Sequence, residues 1–239
     1  MIVKHLAIQD LRLSLDGFRL EVDDICLPVG KIVTLTGESG AGKTLLLETL
    51  GLLRAPTSSR HFKYETNEAG LQDLKALWSF GPRSAQLAQT RGALFGFVPQ
   101  IGGLLPFLTA KENIALPPAL LNRADSAWCD YLIARLDLKD QAHLMPAQLS
   151  VGQRQRTAIA RALAHRPAFV IADEPTAALD PHRSKEVLAL FFEVVKDAGC
   201  GVLLSTHEVD RIRAHDLTTW HLVVSKQADT VVSKLEVAA

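Results

Sequence analysis

One short stretch constrains the fold of this 239-residue chain more than any other. An apolar run at residues 32–35 is followed by Gly37-Glu38-Ser39-Gly40-Ala41-Gly42-Lys43-Thr44, and then by a leucine-rich run at residues 45–50. This order predicts a strand, a glycine-rich loop and a helix, with the spacing G-x-x-x-x-G-K-[ST]. Glycines let a backbone approach its ligand closely, and the amides at a helix N-terminus attract phosphate oxygens. The stretch therefore predicts a loop that binds a polyphosphate.

Two side chains of this loop have separate roles in the prediction. We expect Lys43 to reach the β- and γ-phosphates of a nucleotide and the Thr44 hydroxyl to ligate Mg²⁺. The other predicted phosphate-binding positions are Gly37, Glu38, Ser39, Gly40, Ala41 and Gly42. The alternative is a glycine-rich turn between a strand and a helix that contains Lys-Thr by coincidence. The loop alone indicates a nucleotide but does not say what the nucleotide is used for.

Composition and charge argue against a nucleic-acid-binding protein and against a membrane-spanning chain. A hydrophobic content of 48% with 22% charged residues is ordinary for a globular protein, and Lys+Arg and Asp+Glu number 26 each. That balance argues against a dedicated nucleic-acid-binding protein. Cys26, Cys129 and Cys200 lie far apart without metal-ligand spacing, so we expect buried free thiols in a reducing compartment. Because no uninterrupted apolar run reaches about 18 residues and the start lacks an export signal, we expect a cytosolic protein that does not span a membrane.

The apolar pattern predicts an α/β fold. Alternating residues on both sides of Asp16-Gly17 predict a hairpin within an N-terminal β layer. From residue 150 onwards, helices at 153–165 and 182–197 alternate with buried strands at 169–172 and 202–204. Such alternation favours a mostly parallel sheet. The tail alternates weakly and predicts a closing hairpin.

The middle of the chain has a different character. Residues 101–148 are predicted to be mostly helical, and the clearest helix spans 126–137 with Asp125 or Ser126 as its N-cap. Its apolar stripe is predicted to pack in the core and consists of Trp128, Tyr131, Leu132 and Leu136. Residues 55–93 have the weakest pattern, with an edge strand predicted at 61–65 and helical spacing at 71–78.

Polar groups follow predicted strands at four points. These are the loop 37–44, Gln100, the pair Asp173 and Glu174, and His207. In an open parallel sheet, ligands bind beyond the carboxyl ends of the strands. If the four strands are neighbours, we expect these groups to converge on one nucleotide.

Each of these side chains suits one part of ATP hydrolysis. Asp173 would hold Mg²⁺, usually through water, and Glu174 would polarise the attacking water as a general base. Gln100 would contact Mg²⁺ or that water, and His207 would hydrogen-bond the γ-phosphate and orient the catalytic carboxylate. Taken singly, the acidic pair is also typical of a strand-end turn or helix cap, Gln100 of a loop residue and His207 of a packed histidine.

A second anion-binding end is predicted at Leu149-Ser150-Val151-Gly152-Gln153, which begins the helix 153–165. A serine hydroxyl, a small glycine and a helix N-terminus together attract an anion. One nucleotide needs only one phosphate-binding loop, so the second end suggests that two chains bind two nucleotides between them. The alternative is an ordinary helix that Ser150 caps.

With these residues in view, the chain resembles the ATP-binding-cassette (ABC) ATPases over nearly its whole length. The matching motifs are the Walker A loop (37–44), the glutamine loop (Gln100), the signature (149–153), the Walker B strand (169–174), the Asp loop (178–180) and the switch histidine (His207). The resemblance implies an α/β P-loop NTPase core with a mostly parallel sheet, an N-terminal antiparallel β layer and an inserted helical subdomain at about 101–148. It implies a single ABC ATP-binding domain over residues 1–239.

The resemblance also implies ATP and Mg²⁺ as cofactors and a head-to-tail dimer that sandwiches ATP. The metal contacts would come from Thr44, Gln100 and Asp173. The catalytic positions would be Glu174, His207, Gln100 and Lys43. Besides the residues of the 37–44 loop, the nucleotide contacts would come from Ser150, Gly152, Gln153 and Asp180.

Residues 95–113 are similar to the lipoprotein-release and macrolide-export (LolD/MacB-type) branch of the family, whose members drive a membrane partner. The chain also departs from the family pattern. Val151 replaces the first of two glycines in the signature, and Leu15 stands where an adenine-stacking aromatic is expected, with Phe18 nearby. Residues 58–90 match the family poorly.

These observations predict the ATP-hydrolysing subunit of a membrane transporter or mechanotransmission complex. Its expected partners are integral membrane permease subunits and a second ATP-binding subunit, as a homodimer, with no nucleic acid. The expected location is the cytoplasmic face of the inner (plasma) membrane, as a peripheral subunit that docks through residues 101–148. The alternatives are a soluble ABC ATPase that acts on ribosomes or DNA, and a regulatory cassette that hydrolyses ATP weakly.

Overall fold

The computed structural model describes residues 4–66, 70–100, 103–206 and 217–237. It divides the chain into two units, each with its own core. The first unit consists of Met1–Arg91 together with Gly201–Ala239, and the second consists of Gly92–Cys200.

The first unit is built on a mixed sheet with the strand order β5-β4-β1-β2-β10-β9-β3-β8. These strands are β1 (Lys4–Leu15), β2 (Phe18–Pro28), β3 (Ile32–Gly37), β4 (His61–Thr66), β5 (Gly70–Asp73), β8 (Gly201–Ser205), β9 (Thr218–Gln227) and β10 (Thr230–Val237). The helix α1 (Lys43–Leu50) follows β3 and buries Leu46, Leu47 and Leu50. The strand β3 is parallel to β8 and β9, whereas β1 is antiparallel to β2 and β4.

The predicted N-terminal hairpin is confirmed. The strands β1 and β2 pair in antiparallel register up to Leu15 and Phe18, and Gly17 turns between them with a φ of 67°. A positive φ is costly for residues with a Cβ atom, so glycine suits this turn. The predicted closing hairpin is also confirmed, because β9 and β10 pair antiparallel from Thr230 to Val237.

The structure corrects the prediction for residues 71–78. Instead of one α-helix, this stretch contains β5, which pairs with β4, and a 3₁₀ helix at Ala76–Phe80. Asp73 accepts a hydrogen bond from the Ala76 amide (3.1 Å) at the start of the 3₁₀ helix. The strand predicted at 61–65 exists as β4, but β5 forms the edge of the sheet instead. The helix α2 (Ala85–Leu94), which the sequence pattern did not predict, follows.

The second unit pairs two parallel strands, β6 (Phe95–Val98) and β7 (Phe169–Asp173), and packs helices with them. The helices are α3 (Ala110–Leu120), α4 (Ser126–Arg135), α5 (Val151–Leu163) and α6 (Pro181–Ala198). The helices α3 and α4 lie within the predicted helical region 101–148. The parallel pairing here and around β3, with the antiparallel β1–β2 layer, agrees with the predicted fold class.

The backbones of β6 and α5 approach each other closely at Gly96. A Cβ atom placed on Gly96 would overlap the Ala162 carbonyl group of α5. Gly96 and Ala162 are both buried, so neither backbone has room to move away from a larger residue. The contact explains why a glycine interrupts an otherwise bulky apolar strand.

The helix α4 confirms the predicted cap and corrects one predicted core residue. Asp125 caps the helix by accepting from the Trp128 amide (2.9 Å). Trp128 is buried, and its indole donates to the Leu163 carbonyl (3.0 Å). Tyr131, however, is 37% exposed, and its hydroxyl donates to Asp197 on α6 (2.6 Å). A tyrosine at a helical core spacing can thus place its ring at the edge and its hydroxyl in solvent.

The prediction of three buried thiols holds for two of them. Cys129 and Cys200 are buried, and burial raises the pKa of the Cys200 thiol to about 12. Cys26 is exposed, because it alternates with the buried Ile25 and Leu27 along β2 and therefore faces the other side of the strand. All three are free of disulfide bonds.

From the close approach at Gly96 we predict the effect of a larger residue on the free energy of unfolding. Replacing Gly96 with Ala should lower the free energy of unfolding by about 2–3 kcal/mol, because the new methyl group must displace backbone. Gly92→Ala is a matched control: it lies in α2, its added Cβ would have no neighbour nearer than 3.9 Å, and helix propensity should raise stability by up to about 1 kcal/mol. Urea unfolding of both variants measures the difference, and equal stabilities would contradict the contact.

Candidate nucleotide-binding and hydrolysis site

In the first unit, the loop between β3 and α1 has the backbone that its glycines permit. Gly37, Gly40 and Gly42 have φ values of 148°, 79° and 92°, which residues with a Cβ atom rarely adopt. A Cβ atom on Gly37 would lie 3.0 Å from both the Cβ atom and the carbonyl oxygen of Leu222 on β9. The loop therefore starts in close contact with the neighbouring strand.

The beginning of α1 fits an anionic group. Its N-cap is Gly42, which has no side chain to cap the helix, and its first turn holds no acidic residue. The first amides of a helix lack intrahelical acceptors and carry partial positive charge. The Lys43 side chain is only 7% exposed, and its ammonium group donates to the carbonyls of Gly37 (2.8 Å) and Glu38 (3.1 Å). An uncapped helix N-terminus and a lysine ammonium group in the same loop together offer positive charge of the kind that binds a polyphosphate.

Ser233, which the sequence did not indicate, and Phe18, the predicted candidate for the adenine contact, both lie against this loop. Ser233 of β10 is fully buried and donates from its hydroxyl to the Ala41 carbonyl (2.7 Å), across 192 residues of sequence. The Phe18 ring lies so close to Gly42 that a Cβ atom there would be 2.9 Å from the ring Cζ atom. Leu15, the aligned alternative for a base contact, is 51% exposed. A serine in an ordinary strand has no local signal that could have shown its role.

In the second unit, Glu174 follows β7 in a strained conformation. Its φ is 44°, in the left-handed region that non-glycine residues seldom occupy, and its carbonyl accepts from the Ala177 amide (3.1 Å). The Gln100 side chain donates from Nε2 to Glu174 Oε2 (3.2 Å). Asp173, the last residue of β7, is half-buried beside it. The structure thus brings together two of the predicted catalytic side chains, at the ends of the parallel strands β6 and β7.

Ser150 is the N-cap of α5. Its hydroxyl accepts from the Gln153 amide (3.2 Å), while the Ser150 amide donates to the Gln153 side chain (2.8 Å), so the two residues form a capping box. Gly152 is buried, and an added Cβ atom would meet its nearest neighbour, Leu179, at 4.0 Å. Val151 is 43% exposed and already helical, so it fits this backbone.

Asp180 is the N-cap of α6. Its carboxylate accepts from the amides of His182 (3.2 Å) and Arg183 (3.1 Å). These backbone hydrogen bonds, above all the bond from Arg183, lower the pKa of Asp180, so the group stays ionised to lower pH. As long as it serves as a cap, this carboxylate orders the first turn of α6.

The predicted site residues are thus distributed over the two units. Residues 37–44 belong to the first unit, whereas Gln100, the 150–153 turn, Asp173-Glu174 and Asp180 belong to the second. His207 lies outside the described residues. The convergence of all four strand-end groups on one nucleotide stays a prediction. In the described part of the chain, no helix combines the length and apolar character needed to span a bilayer.

Comparisons with known proteins show which family the chain belongs to. A family model described as "ABC transporter" matches residues 20–177. The lipoprotein-releasing system ATP-binding protein LolD of Anaeromyxobacter dehalogenans is 41% identical over 189 residues, which cover 77% of this chain and 74% of that protein. The macrolide export ATP-binding/permease protein MacB 2 of Aeromonas hydrophila is 37% identical over 190 residues, which cover 78% of this chain and 28% of the longer protein.

A solved structure has the same fold. It is the dimeric, post-hydrolysis state of the ATP-binding cassette MJ0796 bound to ADP and Pi, with a TM-score of 0.71 and 27% identity. The match covers 92% of this chain and 94% of the other. The fold and the loop define a P-loop ATPase of the transporter type. The chain belongs to the ABC transporter family, as an ATP-binding ATPase with LolD-type relatives.

From the capping box at Ser150 we predict how this residue contributes to stability, independently of any ligand. Ser150→Ala should lower the free energy of unfolding by about 1 kcal/mol, because the Gln153 amide loses its acceptor. Ser150→Asp should retain most of that stability, since aspartate is an equally good N-cap and suits the helix dipole. Urea unfolding of the two variants measures this, and an aspartate variant as unstable as the alanine variant would contradict the cap.

Proposed function

We propose that this chain is the ATP-hydrolysing subunit that powers a membrane transporter or mechanotransmission complex, and that it works as a nucleotide-sandwich dimer. The observation that carries the hydrolytic part is the hydrogen bond from Gln100 to the strained Glu174. Strained backbone persists where the surrounding structure enforces it, and it is concentrated at functional sites.

ATP binding is assigned to the loop 37–44. Lys43 and the α1 amides bind the phosphates, and the aromatic ring of Phe18 or the side chain of Leu15 contacts the base. Thr44, Gln100 and Asp173 are the proposed Mg²⁺ ligands, with the hydroxyl, amide and carboxylate oxygens that this ion prefers. When bound, Mg²⁺ would offset the negative charge of the phosphates.

Hydrolysis is assigned to Glu174 as the general base. Its half-buried carboxylate would accept a proton from the attacking water, and the amide of Gln100 would keep one carboxylate oxygen oriented. His207 is assigned to the γ-phosphate from its place after a strand. In the proposal, the proton of the attacking water is transferred to a carboxylate whose backbone is already held in position.

The sandwich dimer is supported by the α5 terminus. Ser150, Gly152 and Gln153 form a helix start that lies apart in sequence from the phosphate loop, and Asp180 starts the next helix. In the proposal, these residues contact the nucleotide bound by a second copy of the chain. The MJ0796 structure is described as dimeric, and this chain resembles it along most of its length.

The membrane partner is supported by exposed apolar side chains in the second unit. Phe107 is 70% exposed and Leu120 is 74% exposed, and both lie in the 101–148 region. A contiguous exposed apolar patch marks an interaction surface, and in the proposal these two side chains belong to one such patch. We assign this surface to integral membrane permease subunits, which would place the chain on the cytoplasmic face of the inner membrane. The LolD relative is named as the ATP-binding protein of a lipoprotein-releasing system.

The first test concerns hydrolysis and dimerisation. Glu174→Gln should retain ATP binding, lower turnover by about 100-fold through loss of the base, and accumulate as a dimer when ATP is added. Size-exclusion chromatography and a phosphate-release assay measure both effects. An ATP-loaded variant that stays monomeric rules out the sandwich model.

Two further variants serve as controls for that test. Lys43→Ala should not bind ATP, so undiminished affinity would refute the phosphate-loop assignment. Ser150→Asp combined with Glu174→Gln should fold and bind ATP but stay monomeric, because the new carboxylate repels the phosphates across the interface. A dimer in this double variant would show that the α5 terminus does not contact nucleotide.

The second test concerns the partner. The tagged chain, extracted in detergent, should co-purify with an integral membrane protein, and Phe107→Glu should abolish this recovery while leaving ATPase turnover within about twofold, because a buried charge disrupts an apolar contact. Phe80→Glu is the matched control, since Phe80 is 64% exposed but lies in the first unit. Recovery of only ribosomes or DNA would favour the soluble alternative.

A further inference from the structure

The signature helix α5 holds the backbone on both sides of Gln100. Gln155 is a polar residue in the middle of the helix, yet it is only 6% exposed. Its side chain donates from Nε2 to the carbonyl of Pro99 (3.3 Å), the residue directly before Gln100. A buried amide needs partners, since leaving one unsatisfied costs about 1–3 kcal/mol. This bond therefore orders the end of β6.

A second side chain of the same helix holds the other side. The guanidinium of Arg161 donates from Nη1 to the carbonyl of Gly103. Arg161 is half-buried, and its loss of solvent lowers its pKa. Because an arginine stays charged in proteins, this is a charge-assisted hydrogen bond to backbone, which is stronger than a neutral one.

The two held positions are also in contact with each other. Gly103 has a φ of 77°, and a Cβ atom added there would lie 2.7 Å from Pro99 Cγ and 3.3 Å from Arg161 Nη2. Only glycine allows this approach at this φ. Pro99, Gly103 and α5 thus form one packed contact, and Gln100 directly follows Pro99 in the chain.

We infer that Gln155 and Arg161 are positioning residues for ATP hydrolysis, which hold Gln100 against Glu174 and link it to the helix that begins at the signature. The inference rests on the proposed catalytic roles of Gln100 and Glu174. The helix α5 begins at Val151, so any shift of its first turn towards a second chain is transmitted to Pro99 and Gly103. A helix behaves as a rigid element, and Gln155 and Arg161 are about 9 Å apart along its axis.

The variants remove the two bonds while keeping the bulk of the side chains. Gln155→Met and Arg161→Met should each lower kcat for ATP by about tenfold, because Gln100 loses one of the hydrogen bonds that hold its backbone in place for catalysis. KM for ATP should stay within about twofold. Arg161→Lys should recover most of the turnover, because a lysine can still donate to the Gly103 carbonyl.

Arg156→Met is the matched control. Arg156 lies on the same helix and donates to the Leu136 carbonyl (3.1 Å) and to Asp137 (2.9 Å), away from Gln100. It should lower the melting temperature at least as much as Arg161→Met does, yet leave kcat within about twofold. A general loss of stability would lower the turnover of all three methionine variants together and would overturn the inference.

A double-mutant cycle with Gln100→Ala tests the route of the effect. If the two residues act through Gln100, then Gln155→Met and Arg161→Met should lower kcat no further once Gln100 is alanine. Losses that multiply would overturn the inference, as would full turnover in folded Gln155→Met. Glu174→Gln separates the positioning role from the proposed function. If Glu174→Gln retains turnover, the proposed function is rejected. If it loses turnover but the effects of Gln100→Ala and the methionine variants multiply, only the positioning role is rejected.

Discussion

The start of α1 has no side-chain cap of its own, and strands of the first unit pack against the loop that precedes it. Its N-cap is a glycine and its first turn has no acid, so the helix itself supplies no negative side chain to the positive end of its dipole. Ser233 donates a hydrogen bond to Ala41 and β9 packs against Gly37. These contacts select one backbone conformation of a loop whose glycines could adopt many others. These contacts therefore fix the loop that we propose as the phosphate-binding site.

In the second unit, the helix α5 makes the contacts that hold the strand end before Gln100. Its backbone lies against Gly96, its side chains hold Pro99 and Gly103, and its first residue is capped by Ser150. One helix therefore joins the signature turn to the strand end that carries Gln100. Such an arrangement suits an ATPase whose hydrolysis must respond to a second chain, because a rigid helix can report contact at one end as a displacement at the other.

Local chemistry accounts for the predictions that were confirmed. Asp16-Gly17, the caps Asp125 and Ser150 and the apolar run of β7 depend on residues within a few positions of one another. The predictions that were wrong depend on distant partners. Residues 71–73 join a strand because β4 offers hydrogen bonds, and residues 76–80 form a 3₁₀ helix instead of continuing an α-helix. Tyr131 reaches out of the core because Asp197 lies on α6. Spacing within one segment cannot show such partners.

The sequence by itself determined the family, because the glycine-rich loop, Gln100, the signature and Asp173-Glu174 are short motifs that occur in a fixed order. It also determined the α/β alternation, which follows from apolar periodicity. Only the tertiary structure decided which groups hold these motifs: Ser233 on the loop, Gln155 and Arg161 beside Gln100, and the contact between Gln100 and Glu174. Those bonds join residues far apart in the chain, and only folding brings their atoms within hydrogen-bonding distance.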